Sequence, residues 1–316
     1  MTLLIIGSQR SDQFAAAVTT QASDIDVRIW PDTGRIEDIR YALAWGPPPG
    51  ALKTVPNLQL IVSVGAGVDH LFKDPELPDV PVVRYVDPDL TNRMTQYVAL
   101  HVLWHQRRMC EFQELQARQE WKYLPEPAAQ DVRVGIMGLG VMGAASAKVL
   151  SAIGYQLRGW SRTPRQIPGG MKCFVGRDQL AAFLADVDIL VCLLPNTPDT
   201  RGILNRDLFR GLSKSGRHPR LPGPSLINAG RGPLQVEADI LAALDAGELH
   251  SASLDVFETE PLAPASPLWR HPRVVITPHN AAESETNAIV RYTLRQVRAH
   301  MAGQPVENVV DPTRQY

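Results

Sequence analysis

Val132-Arg133-Val134-Gly135-Ile136-Met137 leads straight into Gly138-Leu139-Gly140-Val141-Met142-Gly143. A buried strand that ends in G-x-G-x-x-G and continues as a helix lets backbone, rather than side chains, cradle a phosphate. The helix is legible behind the glycines, because Met142, Ala145, Val149 and Ile153 recur on one face. In this setting the first glycine permits a tight turn, the second lets backbone approach a pyrophosphate, and the third allows the helix to pack on the sheet. The amides at the helix N-terminus then favour the negative charge. Gly138, Leu139, Gly140, Val141, Met142 and Gly143 are therefore read as the pyrophosphate site of a dinucleotide-binding unit.

The strand that follows bears on which dinucleotide is bound. A site for NAD usually ends that strand in Asp or Glu, which bonds the ribose 2'-hydroxyl. Here the strand ends Gly159-Trp160-Ser161-Arg162-Thr163, without an acid. A missing carboxylate removes repulsion toward a 2'-phosphate, and Arg162 can pair with one while Ser161 and Thr163 donate hydrogen bonds. NADPH is expected over NADH, with NAD as the alternative, and Trp160, Ser161, Arg162 and Thr163 are assigned to the cofactor.

Outward from this unit, short apolar runs alternate with helical stretches from end to end, the pattern of parallel α/β domains. Strands are predicted at 132–137, 156–160, 188–194, 225–228, 252–257 and 274–277, six in all, as in a doubly wound Rossmann-type sheet. Earlier runs at 3–6, 27–30, 41–45, 58–64 and 80–85 predict a flavodoxin-like half. Residues 91 to about 119 contain no Gly or Pro and predict one long helix between the domains. A last helix, about 283–301, carries the chain back. The expectation is an α/β protein of two domains: a discontinuous substrate-binding domain at 1–98 and 284–316, and an NADP-binding Rossmann domain at 99–283. The Gly- and Pro-rich basic stretch 214–224 reads as a solvated loop.

Composition bounds the function. With 316 residues the chain exceeds the size of a typical single core, and 44% apolar with 21% charged residues describes a globular enzyme. Lys and Arg number 32 against 33 Asp and Glu, so no basic field invites nucleic acid or an anionic membrane. No apolar run approaches the roughly 20 residues that span a bilayer. Cys110, Cys173 and Cys192 form no metal or disulfide pattern, which points to a reducing, cytoplasmic setting. His101 and His105 have the spacing of a zinc pair but lack the Glu of His-Glu-x-x-His, so no metal is expected.

Three more segments follow apolar strands: Asn228-Ala229-Gly230-Arg231-Gly232, Asp255-Val256-Phe257-Glu258-Thr259-Glu260-Pro261-Leu262 and Thr277-Pro278-His279-Asn280-Ala281-Ala282. Reducing a 2-keto acid moves hydride to the carbonyl carbon while charge builds on oxygen and a proton must arrive. His279 suits the proton, since imidazole can carry one near neutral pH and give it up. Arg231 suits the oxygens, because its planar fork can grip them and offset developing charge.

With Val64-Gly65-Ala66-Gly67-Val68-Asp69 and Leu193-Leu194-Pro195-Asn196-Thr197, these segments closely resemble the D-2-hydroxyacid dehydrogenase family over nearly the whole chain. Trp45, Trp160-Ser161-Arg162 and Ser266-Pro267-Leu268-Trp269-Arg270-His271-Pro272 look most like its glyoxylate and hydroxypyruvate reductase group. The resemblance implies reduction of a small 2-keto acid to a D-2-hydroxy acid, with Glu260 bonded to the second ring nitrogen of His279 and favouring imidazolium. It implies cofactor contacts from Leu194, Pro195, Asn196, Ala229, Gly230, Arg231, Asp255, His279 and Ala281. It also implies that Val64, Gly65, Ala66 and Gly67 hold the substrate carboxylate through backbone amides, so that hinge closure completes the site. Trp45 and Arg84 would line the substrate pocket, and Trp121 would reach in from the neighbouring subunit of a homodimer built on the long helix.

Asn280 and Gln96 depart from the family pattern, which more often has an apolar residue and an acid there. Those departures bear on local packing or substrate preference. Alternatives within the family are lactate- or phosphoglycerate-type dehydrogenases, and outside catalysis a nucleotide-sensing corepressor-like protein. The intact Arg231, Glu260 and His279 set favours an enzyme.

Overall fold

The computed structural model describes residues 1–165, 170–213 and 216–312. The chain divides into two compact units, Met1–Leu90 with Ser284–Tyr316, and Thr91–Glu283. In the first unit, β1 (Thr2–Ile6), α1 (Ser11–Gln21), β2 (Asp26–Ile29), β3 (Ile39–Ala44), β4 (Leu60–Ser63) and β5 (Val82–Val83) build a parallel sheet in the order β2-β1-β3-β4-β5. That is the flavodoxin order. β1 and β4 are buried along their whole length, as strands covered on both faces must be. The chain's last helix, Thr286–Met301, packs against α1.

α2 (Pro88–Gln106) carries the chain into the second unit from Thr91 on, and α3 (Met109–Ala117) follows. The unit continues through β6 (Arg133–Met137), α4 (Val141–Ile153), β7 (Gln156–Ser161), β8 (Lys172–Val175), α5 (Leu180–Ala185) and β9 (Ile189–Cys192). α6 (Arg206–Gly211), β10 (Ser225–Asn228), α7 (Glu237–Asp245), β11 (Ser251–Leu254) and β12 (Val274–Ile276) complete it. All seven strands are parallel, in the order β12-β11-β10-β9-β6-β7-β8, so every strand presents its carboxyl end on one edge. The order reverses between β9 and β6, where a doubly wound sheet opens its ligand crevice. Among the described residues no helix is long and apolar enough to cross a membrane.

Three expectations are corrected. The single helix over 91–119 is two helices, because Arg108 takes a left-handed conformation (φ 58°) and turns the chain. Its guanidinium holds the corner by bonding Glu111 and the Pro125 carbonyl, a tertiary cause with no Gly or Pro to announce it. Six strands become seven, since β8 adds an edge strand beside β7. The stretch 214–224 is solvated only in part: residues 216–220 are largely exposed, whereas Leu221, Gly223 and Pro224 are buried, and Lys214 and Ser215 lie outside the described residues.

Two polar clusters brace the second unit. Asp188, with no exposure, accepts bonds from the Arg133 backbone amide (3.0 Å), its guanidinium Nε (2.9 Å) and the Ser213 hydroxyl (2.6 Å), tying β6 to β9. The other cluster joins α2 to the sheet. The Ser253 hydroxyl lies 2.8 Å from His101 Nδ1 and 2.9 Å from His105 Nε2, and Ser251 lies 2.8 Å from His105 Nδ1 and 2.9 Å from Ser225. Each serine can donate to one neighbour and accept from the other, so His105 is satisfied at both ring nitrogens, and His101 at Nδ1, as neutral imidazoles.

Burial pushes His101 down to about 4. Burial, with added repulsion from His101 and His250, pushes His105 down to about 3. The unfolded chain, with ordinary histidines near 6.5, therefore binds protons that the folded chain refuses. Stability is complete above pH 6.5 and falls as pH drops through the window toward 4. Between pH 6.5 and 5 the loss is about 2 kcal/mol per histidine, which lowers Tm by on the order of 10 °C for the pair. Replacing His105 by Gln keeps hydrogen-bonding capacity without titration and should flatten the decline; Tm curves of equal slope from pH 7 to 5 would contradict this.

Candidate active site

The carboxyl edge of the second sheet gathers the functional segments in spatial order. His279 follows β12, Glu260 follows β11, Arg231 follows β10, Asn196 follows β9, the glycine loop follows β6 and Arg162 follows β7.

At the crevice, Gly138 has φ +100°, and a Cβ there would lie 2.7 Å from the Leu193 carbonyl oxygen. At Gly143 a Cβ would fall 2.0 Å from the Gly138 carbonyl oxygen, so only glycine lets α4 close on the turn. Gly140 is different: nothing lies within 4 Å of its would-be Cβ, and as N-cap of α4 it supplies no side-chain cap. Open space in front of uncapped helix amides suits a pyrophosphate. Asn196 Oδ1 is buried and has no hydrogen-bond partner among the described residues. That orphaned acceptor, one strand away from the glycine loop, fits the polar edge of a bound dinucleotide.

At the end of β7 the residues divide. Trp160 is buried in the core and donates its indole N–H to the Gly176 carbonyl (2.9 Å). Ser161 is buried and donates its hydroxyl to the Thr163 carbonyl (2.7 Å), shaping the turn. Arg162 and Thr163 are exposed beyond it.

The Arg231 loop is braced by residues that its motif does not announce. Asn228 accepts from the Gly230 amide (3.1 Å) and donates to Gln235 (2.8 Å), whose own amide bonds the Val256 carbonyl (2.9 Å). A Cβ on Gly232 would come within 1.7 Å of the Phe257 carbonyl oxygen, so glycine alone lets this loop press against the one that carries Glu260. An Asn two residues before a Gly at a strand end signals an Asx-type turn, whereas Gln235 carries no local signal. Arg231 donates through Nη1 to the Gly230 carbonyl (2.8 Å).

Glu260 and His279 are in direct contact, with His279 Nδ1 2.6 Å from Glu260 Oε2. The second oxygen of Glu260 accepts the Phe257 amide (3.0 Å). Burial raises the Glu260 carboxyl. Its bonds to His279 and the Phe257 amide, together with the charges of His279 and Arg231, outweigh that and hold it below the usual glutamate value. Glu260 is thus an acceptor-only carboxylate, which places the hydrogen on His279 Nδ1 and leaves Nε2 as the ring's other proton site.

The backbone of His279 is itself constrained. Its φ is 53°, uncommon for a residue with a side chain. Its amide donates to the Asp255 carbonyl (2.7 Å), and the Asp255 side chain accepts the Asn280 amide (3.0 Å), the Ala281 amide (3.1 Å) and the Thr277 hydroxyl (2.6 Å).

In the first unit, the loop after β4 is tied by Ser63, which accepts from the Gly65 amide (3.3 Å) and donates to the Gly67 carbonyl (3.4 Å). The Val64 amide bonds the Ala44 carbonyl (3.1 Å), continuing the sheet. Trp45 lies over this loop: a Cβ on Gly65 would be 2.6 Å from the indole, and the ring meets His70 at a centroid distance of 4.3 Å. Arg84 is half-buried, its carbonyl accepting from Tyr292 (2.8 Å). Among the described residues no cluster of three or more His, Cys, Asp or Glu could hold a metal ion.

Residues 99–281 match the model of the D-isomer specific 2-hydroxyacid dehydrogenase NAD binding domain. The chain is 41% identical over 308 residues, 95% of each protein, to glyoxylate/hydroxypyruvate reductase A of Serratia proteamaculans (strain 568). An NADPH-dependent glyoxylate/hydroxypyruvate reductase from Sinorhizobium meliloti, solved with NADP and sulfate, superposes with a TM-score of 0.93 at 43% identity, covering 100% of this chain and 99% of that one. A probable 2-hydroxyacid dehydrogenase from Rhizobium etli CFN 42, solved with NADP, HEPES and L(+)-tartaric acid, gives 0.92 at 41% identity, with 100% and 99% covered.

Proposed function

Since the chain belongs to the D-isomer specific 2-hydroxyacid dehydrogenase family, we propose that it reduces glyoxylate- or hydroxypyruvate-type 2-keto acids to D-2-hydroxy acids with NADPH. The observation that carries this reading is the contact of His279 with an ionised Glu260, on the sheet edge that also carries Arg231 and the glycine loop.

When bound, the nicotinamide supplies the hydride. His279 gives its Nε2 proton to the carbonyl oxygen as charge develops there, and Glu260 holds Nδ1–H so that the ring keeps its orientation and favours imidazolium. Glu260 acts here as the third member does in a serine-protease triad. Arg231 binds the keto-acid oxygens and offsets their growing charge. In the first unit, with the Val64 amide engaged in the sheet, Ala66 and Gly67 are the loop's foremost amide donors for the substrate carboxylate, and Trp45 and Arg84 border the pocket.

Gly138, Leu139, Gly140, Val141, Met142 and Gly143 would hold the pyrophosphate. Arg162 and Thr163, on the turn that buried Trp160 and Ser161 shape, would take the adenosine end, and Leu194, Pro195, Asn196, Ala229, Gly230, Asp255 and Ala281 the rest. Exposed Arg162, at a strand end whose sequence carries no acid, reads a 2'-phosphate. At about 1.5 to 3 kcal/mol for a charged hydrogen bond, one such contact favours NADPH by about 10- to 100-fold.

Exposed Leu100, Leu103, Trp121 and Tyr123 supply the apolar surface we assign to a homodimer, which a monomeric mass in solution would contradict. The free thiols of Cys110, Cys173 and Cys192 suit the cytoplasm.

A panel of glyoxylate, hydroxypyruvate, pyruvate and phosphohydroxypyruvate, each assayed with NADPH and NADH, tests the proposal. The first two should turn over fastest with NADPH, and Arg162→Ala should erase most of the cofactor preference. No turnover of any keto acid would overturn the enzymatic reading, and an unchanged cofactor ratio in the variant would remove Arg162 from the phosphate.

A further inference from the structure

Tyr97, His101 and His105 stand four residues apart along α2 and so form one stripe of the helix, a stripe that is polar and yet buried. Each of the three meets a hydroxyl of the sheet. His101 and His105 meet the Ser253 and Ser251 hydroxyls of β11, while the Tyr97 hydroxyl lies 2.9 Å from Thr277 Oγ1, just past β12. The role given to His279 above accounts for none of these contacts.

The direction of the bonds follows from donor arithmetic. Asp255 offers only acceptors, so the single Thr277 hydrogen goes to Asp255 Oδ1 (2.6 Å), and the Tyr97 hydroxyl must donate to Thr277. The same Oδ1 takes the Asn280 amide (3.0 Å) and the Ala281 amide (3.1 Å), and the Asp255 carbonyl takes the His279 amide (2.7 Å). Hydrogen bonds from helix α2 and from the backbone on both sides of the His279 side chain thus converge on Asp255. His279 itself has a left-handed backbone, φ 53°, which is uncommon for a residue with a side chain. Tyr97 is fixed at its other end as well, because its ring lies against His101 at a centroid distance of 4.2 Å, and His101 is bonded to Ser253, two residues before Asp255.

We propose that Tyr97 is a positioning residue for the proton donor: through Thr277 and Asp255, its hydroxyl holds the loop that sets His279 against Glu260. The proposal rests on the reading of His279 as the proton donor. Tyr97 needs no contact with substrate or cofactor for this. A small displacement of a catalytic group costs rate steeply, so one hydrogen bond two residues upstream of His279 can govern turnover without governing the fold.

The test measures kcat, KM and pH profiles with hydroxypyruvate and NADPH for Tyr97→Phe, Thr277→Val, Thr277→Ser and the Tyr97→Phe/Thr277→Val double variant. Tyr97→Phe should lower kcat by about five- to tenfold, leave the NADPH KM within about twofold and move the alkaline limb of the profile toward acid, which a merely structural hydroxyl would not do. Thr277→Ser keeps the relay and should stay near the parent. The double variant should be no worse than Thr277→Val alone, since both substitutions cut one chain.

A parental kcat and pH profile in Tyr97→Phe, or losses that multiply in the double variant, would overturn the proposal. If Tyr97→Phe does not fold, the Thr277→Val and Thr277→Ser pair still decides it, because similar rates in those two would equally overturn the relay. His279→Ala, assayed alongside, separates the two levels. A parental rate in that variant sinks the proton-donor reading itself, whereas an inactive His279→Ala beside a parental Tyr97→Phe sinks the relay alone.

Discussion

Arg231→Ala is expected to lower kcat/KM for hydroxypyruvate by about 10²- to 10⁴-fold while NADPH binding stays near the parental value. A donor aimed at a developing oxyanion contributes about 10²- to 10³-fold on its own, and a lost charge-assisted bond to the substrate carboxylate adds to it. The loop should survive the change, because its shape depends on Asn228, Gln235 and the close approach of Gly232 to Phe257 rather than on the guanidinium. The guanidinium's bond to the Gly230 carbonyl is a small loss by comparison. Lysine at 231 should recover little, since a point charge cannot grip two oxygens in one plane. Cofactor titration beside steady-state kinetics checks this. Near-parental turnover, or lost NADPH binding in a folded protein, would remove Arg231 from the substrate.

The parts of this site that were legible in the sequence are those whose cause is local. Gly143 has to be glycine because a Cβ would strike the Gly138 carbonyl within the same β-α turn, and Gly138 because its own φ is +100°, so the motif and its setting were enough to place the helix and the crevice. Arg231, Glu260 and His279 stand just after strands whose apolar runs were plain, and a parallel sheet necessarily brings such positions to one edge. What the sequence hid depends on distant partners. The helix break at Arg108 relies on Glu111 and Pro125, and edge strand β8 is a short run whose pairing with β7 shows only in the sheet. Trp160 belongs to a motif read as cofactor-facing, yet its indole is packed in the core, because side chains alternate along a strand while a motif is read linearly. Thr277 carries no local signal in the His279 segment. Its hydroxyl has a role only once β11 and α2 are in place to supply Asp255 and Tyr97.

His279→Ala should cost about 10²- to 10⁴-fold in kcat, the usual worth of a positioned general acid. Glu260→Gln is more informative, because it keeps a hydrogen-bonding shape and removes only charge. Glu260 is held ionised below its ordinary value, in part by its bond to His279 and by that residue's charge. His279 Nδ1 lies 2.6 Å from Glu260 Oε2, so removing the carboxylate's charge removes an attraction that only the protonated ring receives. Reduction requires the proton and fails as pH rises, so the variant's alkaline limb should move toward acid. Oxidation of the hydroxy acid requires neutral imidazole, and its acid limb should move the same way, letting that direction run at lower pH than in the parent. Each unit of displacement corresponds to about 1.36 kcal/mol of lost interaction. The measurement that tests the account most directly is therefore the pH dependence of kcat/KM for hydroxypyruvate reduction and D-glycerate oxidation in the parent and Glu260→Gln. Both limbs moving together toward acid is the predicted result, and profiles that coincide with the parent in both directions would show that Glu260 and His279 do not form the acid-base pair.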